Sequence, residues 1–195
     1  MNHIILQKDE KKVIPILLSA NQERIDINLV GEGSEVEVVG LVLGEKTDEK
    51  ALEVYITHSA ARTRSKVNVR AVLRNKSTFA FRGNVRIENG AKGADAYLRS
   101  DALLFDDAKM GDDTPALEIL ERDVKAGHAA TVGKVDEQML FYLMSRGISR
   151  VQAEKLLIHG FIEPIMNKIQ STNSDLSLAT YHFSLPTEGR LRGQD

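Results

Sequence analysis

Short stretches of alternating apolar and polar residues recur along this chain as far as about Leu120. In 25–29 (Ile-Asp-Ile-Asn-Leu), 52–56 (Leu-Glu-Val-Tyr-Ile) and 66–70 (Lys-Val-Asn-Val-Arg) every second side chain is aliphatic. That is the period-two pattern of strands with one buried face. The run 36–43 is almost wholly β-branched or aliphatic, and 79–81, 85–87 and 116–120 are shorter runs of the same kind. Polar or glycine-containing turns separate them at intervals of roughly 8 to 14 residues. The pattern predicts a mainly β body, and this spacing suits a sandwich, a barrel or a solenoid equally.

The period changes near Asp136. Leu140, Phe141, Leu143 and Met144 cluster on one side of a helix, and Gly147 supplies its stop. A second helix starts at Ser149-Arg150-Val151-Gln152, a capping box in which the Ser and Gln side chains satisfy two backbone donors. Leu156, Leu157, Phe161, Ile165 and Ile169 continue an apolar stripe, and Pro164 is expected to kink or interrupt it. The chain is therefore divided into a β core over 1–134, a helical hairpin over 135–170, and a polar tail over 171–195. Within that tail, 178–183 could dock as an edge strand.

Composition removes several function classes. With 26 basic and 28 acidic residues the formal charge is -2, which provides no global field for nucleic acid or an anionic membrane. No run approaches the roughly 18 apolar residues of a membrane span. The opening Met-Asn-His-Ile-Ile-Leu lacks the basic start and long apolar core of a secretory signal. A cytoplasmic protein is expected. The absence of cysteine excludes disulfides, thiolate metal sites and a thiol nucleophile in this chain.

Candidate chemistry is sparse. Gly31-Glu32-Gly33 lacks the third glycine and following helix of a dinucleotide loop, so it reads as a turn. Asp106, Asp107, Asp112 and Asp113 lack the spacing of a calcium loop and read as a solvated loop. The five histidines show no paired metal-binding spacing, and His58 reads as a surface or hydrogen-bonded structural residue. His128 stands apart, because its small neighbours in Lys125-Ala126-Gly127-His128-Ala129-Ala130 leave the imidazole sterically open; the alternative is a tight turn into the helices. No nucleophile elbow and no distinct carboxylate pair appears, and a polysaccharide-cleaving reading through Asp95, Asp101 or His128 has little to rest on.

Asp123-Val124-Lys125, His128, Ala130-Thr131-Val132-Gly133, Asp136-Glu137, Leu140-Phe141-Tyr142-Leu143 and Ser145-Arg146-Gly147-Ile148 together resemble the C-terminal core of the SufB/SufD family of iron-sulfur cluster assembly proteins. Asp95-Ala96-Tyr97, Leu103-Leu104 and Pro115-Ala116-Leu117-Glu118-Ile119 follow the order of the same family. The resemblance spans roughly 25–169 and is nearest to SufD, in a short form without the family's N-terminal helical domain.

The resemblance implies a right-handed parallel β-helix followed by C-terminal helices. It further implies a non-catalytic scaffold that works beside a SufB-like paralogue, or pairs with itself, through β-helix edges near the C-terminal rungs. A SufC-like ABC ATPase would be engaged through the helices, with Asp136, Leu140, Phe141, Tyr142, Arg146 and Gly147 as partner-binding residues. His128 matches a family histidine at the cluster-forming interface, whereas the neighbouring cysteine position is Ala126. The expected cargo is therefore transient iron or a cluster shared with a partner, with no tightly bound cofactor. The competing expectation is a homo-oligomeric structural solenoid with no part in cluster assembly.

Overall fold

The computed structural model describes residues 2–172. Ten strands, β1 (Asn2–Leu6), β2 (Lys11–Leu18), β3 (Gln22–Leu29), β4 (Glu35–Gly44), β5 (Glu49–His58), β6 (Arg64–Leu73), β7 (Thr78–Ile87), β8 (Asp95–Leu104), β9 (Lys109–Ile119) and β10 (Lys125–Lys134), precede two helices. The helices are α1 (Glu137–Ser145) and α2 (Arg150–Thr172). Odd-numbered strands form one sheet and even-numbered strands the other. Each strand pairs in parallel with the strand two places on, as Ile25 does with Val54 and Val54 with Gly83, 29 residues apart. The chain thus winds as a two-sheet parallel β-solenoid, which resolves the choice that periodicity leaves open.

Alternation follows directly from this winding. In β5, Leu52, Val54, Ile56 and His58 point into the lumen and are buried, while Glu53, Tyr55 and Thr57 face outward. Rows of like residues then stack from coil to coil, as in Val38-Val67-Leu98. One corner turns through left-handed residues, Lys46, Asn75 and Asp106. There the Lys46 amide donates to the Asn75 side chain at 2.9 Å, and the Asn75 amide to the Asp106 carboxylate at 2.9 Å. Asn75 and Asp106 are of the residue types that tolerate that conformation, and each side chain accepts from an amide of the coil before, so these two turns need no glycine.

Sheet β2-β4-β6-β8-β10 is covered on its outer face as well. There Val39, Leu41, Val72 and Phe105 pack with Ile158, Ile162, Ile165, Met166 and Ile169 of α2. Burial on both faces explains why 36–43 is apolar almost without alternation.

Four expectations are corrected. The runs 79–81 and 85–87 belong to one strand, β7, whose pattern is broken by Gly83 in an inward row. Pro164 does not interrupt α2, because packing of Ile162, Ile165 and Met166 against the sheet holds the helix continuous despite the missing donor. The apolar stripe of α2 is rotated: Ile158, Ile162, Ile165, Met166 and Ile169 are buried, whereas Leu156 is 58% exposed. The His128 segment is no tight turn but a ten-residue strand, β10, whose alanines and glycines hide its periodicity. The edge strand expected at 178–183 lies outside the described residues.

Candidate interaction site

The two ends of the solenoid differ. In the first coil Leu6, Ile14, Ile16 and Leu18 are buried, because large side chains fill the lumen. In the last coil the inward row of β10 is Ala126, His128, Ala130 and Val132, in register with Ala96, Leu98, Ser100 and Ala102 of β8. These small residues leave the lumen uncovered: Val132 is 47% and Ile119 45% exposed.

The strand edges differ too. At the N-terminal end β1 is only five residues long, and the Glu35 amide bonds to the Glu10 carbonyl, which fixes the parity of β2. Even-numbered residues of β2 face β4 and odd-numbered ones face outward, so the donor that Pro15 lacks is on the free edge. Likewise the Leu120 amide bonds to the Ile87 carbonyl. That places Pro115 of β9 with its missing donor on the free edge, and a register shift between Phe79 and Phe81 further distorts this pairing. Proline and bulges are the usual means of blunting an edge.

Only β10 lacks such a device among these four terminal strands. The amides of Lys125 and Val135 bond to the carbonyls of Ala94 and Leu104. Odd-numbered residues of β10 therefore satisfy the ladder, and 126, 128, 130, 132 and 134 present their N–H and C=O groups to the side that no strand pairs among the described residues.

His128 is exposed on this edge, pointing the way Leu98 does one coil earlier, and makes no hydrogen bond or ion pair to the described residues. Its imidazole is available as a single ligand. Ala126, two residues before it on the same face, brings no donor. No group of three or more His, Asp or Glu side chains converges to hold a metal among the described residues. At this position the described residues offer a metal one imidazole and no converging second ligand.

The acidic cluster is split by the fold. Asp106 and Asp107 form a turn, but Asp113 follows Phe81 in an inward row of β9. Both its carboxylate oxygens are buried without a partner, and burial pushes its pKa up. Asp101, one of the residues considered for acid-base chemistry, is buried and accepts from Arg99 Nε at 2.7 Å. Asp95 begins β8 at its opposite end, so these residues form no acid-base pair.

The helices carry the remaining candidates. Asp136 caps α1, accepting from the amides of Gln138 at 2.8 Å and Met139 at 3.3 Å. Gly147 adopts φ 86° just beyond the helix and ends it as the sequence predicts. Phe141 is 73% and Tyr142 53% exposed, and Met139 and Met144 are exposed beside them. Arg146 stacks over the Tyr142 ring at 5.3 Å. Leu140, in contrast, is fully buried and supports α1 from within rather than facing a partner. The capping box at the start of α2 forms in both directions, Ser149 N to Gln152 Oε1 at 3.1 Å and Gln152 N to Ser149 Oγ at 3.3 Å.

Sequence reasoning missed Glu154, which is buried under α2 and bonded to Arg74 at 2.7 Å. The signal was available: Glu154 falls one turn before Ile158 on the buried face, and a carboxylate on an apolar stripe needs a cation.

The SufBD core domain model of SUF-system iron-sulfur cluster assembly matches residues 16–161. The chain is 37% identical over 142 residues to the iron-sulfur cluster assembly protein SufD of Bacillus subtilis, covering 73% of this chain and 32% of that protein. It is 35% identical over 141 residues to a SufBD family protein of Mycobacterium bovis, covering 72% and 17%. A SufBD family protein of Staphylococcus epidermidis is 32% identical over 141 residues, covering 72% and 30%. The chain spans about a third or less of the length of these relatives.

Proposed function

This chain belongs to the SufBD core domain family, and on that premise we propose that it is a non-catalytic scaffold of a Suf-type iron-sulfur cluster assembly complex. The observation that carries the reading is the match over 16–161, which takes in the open strand β10 and α1 together. Two surfaces then have distinct tasks. The β10 edge pairs with a second chain of this family, a SufB-like paralogue or another copy, by adding its strand to the sheet. The exposed face of α1, centred on Phe141, Tyr142 and Met144, receives a SufC-like ABC ATPase, with Asp136 and Gly147 fixing the helix ends and Arg146 lying against Tyr142.

Iron or a nascent cluster is cargo in this scheme. His128 offers one imidazole nitrogen at the rim of the last coil, and a borderline metal such as iron accepts imidazole readily. With Ala126 in place of a thiol, sulfur ligands belong to the partner or to the sulfide itself. The protein works in the cytoplasm, where nucleotide chemistry stays with the ATPase.

An anaerobic affinity pull-down from the native host, with partners identified by mass spectrometry and iron quantified, tests this reading. The expected result is recovery of an ABC-type ATPase, lost on Phe141→Asp while the β10 partner is retained. Recovery of the chain only as an iron-free oligomer would overturn it in favour of a structural solenoid.

A further inference from the structure

Little of α1 is buried. Leu140 is its single buried residue, while Met139, Phe141, Tyr142 and Met144 are exposed. A helix of nine residues is too short to persist without outside support. Beside the anchor of buried Leu140, its pose is set by polar contacts, and these form one chain.

Arg74, immediately after β6, is buried with its guanidinium 5.0 Å from the centre of the Phe105 ring. Its Nη2 donates to Glu154 Oε2 at 2.7 Å. The other oxygen of Glu154 accepts from Arg150 Nε at 3.0 Å. Arg150 then extends both terminal nitrogens to Glu137, at 2.9 and 3.1 Å. Glu137 is the first residue of α1. Charges alternate along the series, it begins buried in the solenoid wall, and it ends exposed on the helix that carries the apolar face.

We propose that Arg74, Glu154, Arg150 and Glu137 are positioning residues that hold α1 at a fixed angle to the solenoid, so that the face bearing Phe141 and Tyr142 is presented ready-made to its partner. The value of this arrangement for docking rests on the ATPase-scaffold reading; the arrangement itself does not. Its geometry predicts an order of failure. Cutting the outer link frees α1 alone. Cutting the inner link frees α1 and the start of α2 together, and strands the buried Arg74 cation.

Hydrogen exchange on the full chain without any partner measures both cuts. Glu137→Gln should speed exchange of the α1 amides several-fold and leave α2 and the strands unchanged. Glu154→Gln should speed exchange in α1 and in the first turns of α2, while β3, β5 and β7 keep wild-type protection. Unchanged α1 exchange in Glu137→Gln, or equal loosening of α1 and α2 by the outer cut, would overturn the proposal. Since Glu137 is at the surface, its variant folds even if Glu154→Gln does not. If the exchange pattern appears but no ATPase binds the wild-type chain, the positioning chain stands and the docking reading fails.

Discussion

His58 occupies a place that an aliphatic residue fills in the adjacent coils, between Leu29 and Ile87 in the ladder. It is fully buried, with Nδ1 2.8 Å from Thr63 Oγ1 and Nε2 2.8 Å from Ser65 Oγ. The Thr63 hydroxyl donates to the Ala60 carbonyl at 3.0 Å, so its oxygen must accept the proton of Nδ1–H. Nε2 is then the acceptor from Ser65. Burial lowers the His58 pKa from 6.5 to about 4. The unfolded chain therefore binds a proton near pH 6.5 that the folded chain refuses until about pH 4. Stability from this group is complete above the unfolded value and is lost as pH falls through that window, by about 3 kcal/mol in all. Urea titrations across the window should show the decline, and His58→Leu, which continues the aliphatic row, should flatten it. Equal slopes in the two proteins would show that His58 takes up its proton in the fold as readily as in the unfolded chain. From sequence, His58 reads as either a surface or a hydrogen-bonded structural residue; the structure shows the second, and the choice was not legible because its partners Thr63 and Ser65 follow on the far side of a corner that the linear pattern does not reveal.

At the scale of elements, Gly83 shows how packing constrains the sheet. A Cβ there would lie 2.3 Å from Leu98 Cδ1, and Leu98 is itself buried in the lumen. Gly83→Val would complete the apolar alternation of β7, between Phe81 and Val85, and raise strand propensity. It should nevertheless destabilise the protein by about 1–3 kcal/mol, because the lumen has no room for it. A lower urea midpoint at unchanged slope is the expected measurement; an equal or higher midpoint would mean that Leu98 can move aside. Gly83 also marks the limit of what is legible. Strands β3, β5 and β6 are plain in the sequence because each alternates cleanly, and the α2 start is plain because its cap is a local signal. The coil-to-coil pairing is not, since parallel partners lie from 23 residues apart (Asn2 and Ile25) to 32 (Phe81 and Asp113), and only the family resemblance pointed to them. Strand β10 escaped for the opposite reason: its side chains are small, so neither face shows a period. Similarly, Leu156 and Ile158 are both apolar and only the position of the sheet decides which of them is buried.

For the whole molecule, the decisive asymmetry is that three terminal strands are blunted and one is not. The missing donors of Pro15 and Pro115 fall on free edges, and β1 is short, so association through those strands forms few main-chain bonds. Strand β10 offers alternating donors and acceptors over ten residues beside an uncovered lumen. Burying Val132 and Ile119 against a second chain would add apolar area to those bonds. Ala130→Pro removes one outward N–H and leaves every ladder bond to β8 in place, whereas Ala129→Pro removes a ladder donor. Sedimentation of the chain, alone and with its co-purifying family member, should therefore give a dimeric species that Ala130→Pro reduces to monomer with an unchanged circular dichroism spectrum. Ala129→Pro should instead lower thermal stability. Persistence of the dimer in Ala130→Pro would place the contact on another surface. Persistence together with loss in Val132→Asp would show that the lumen rim, rather than the strand edge, holds the two chains together.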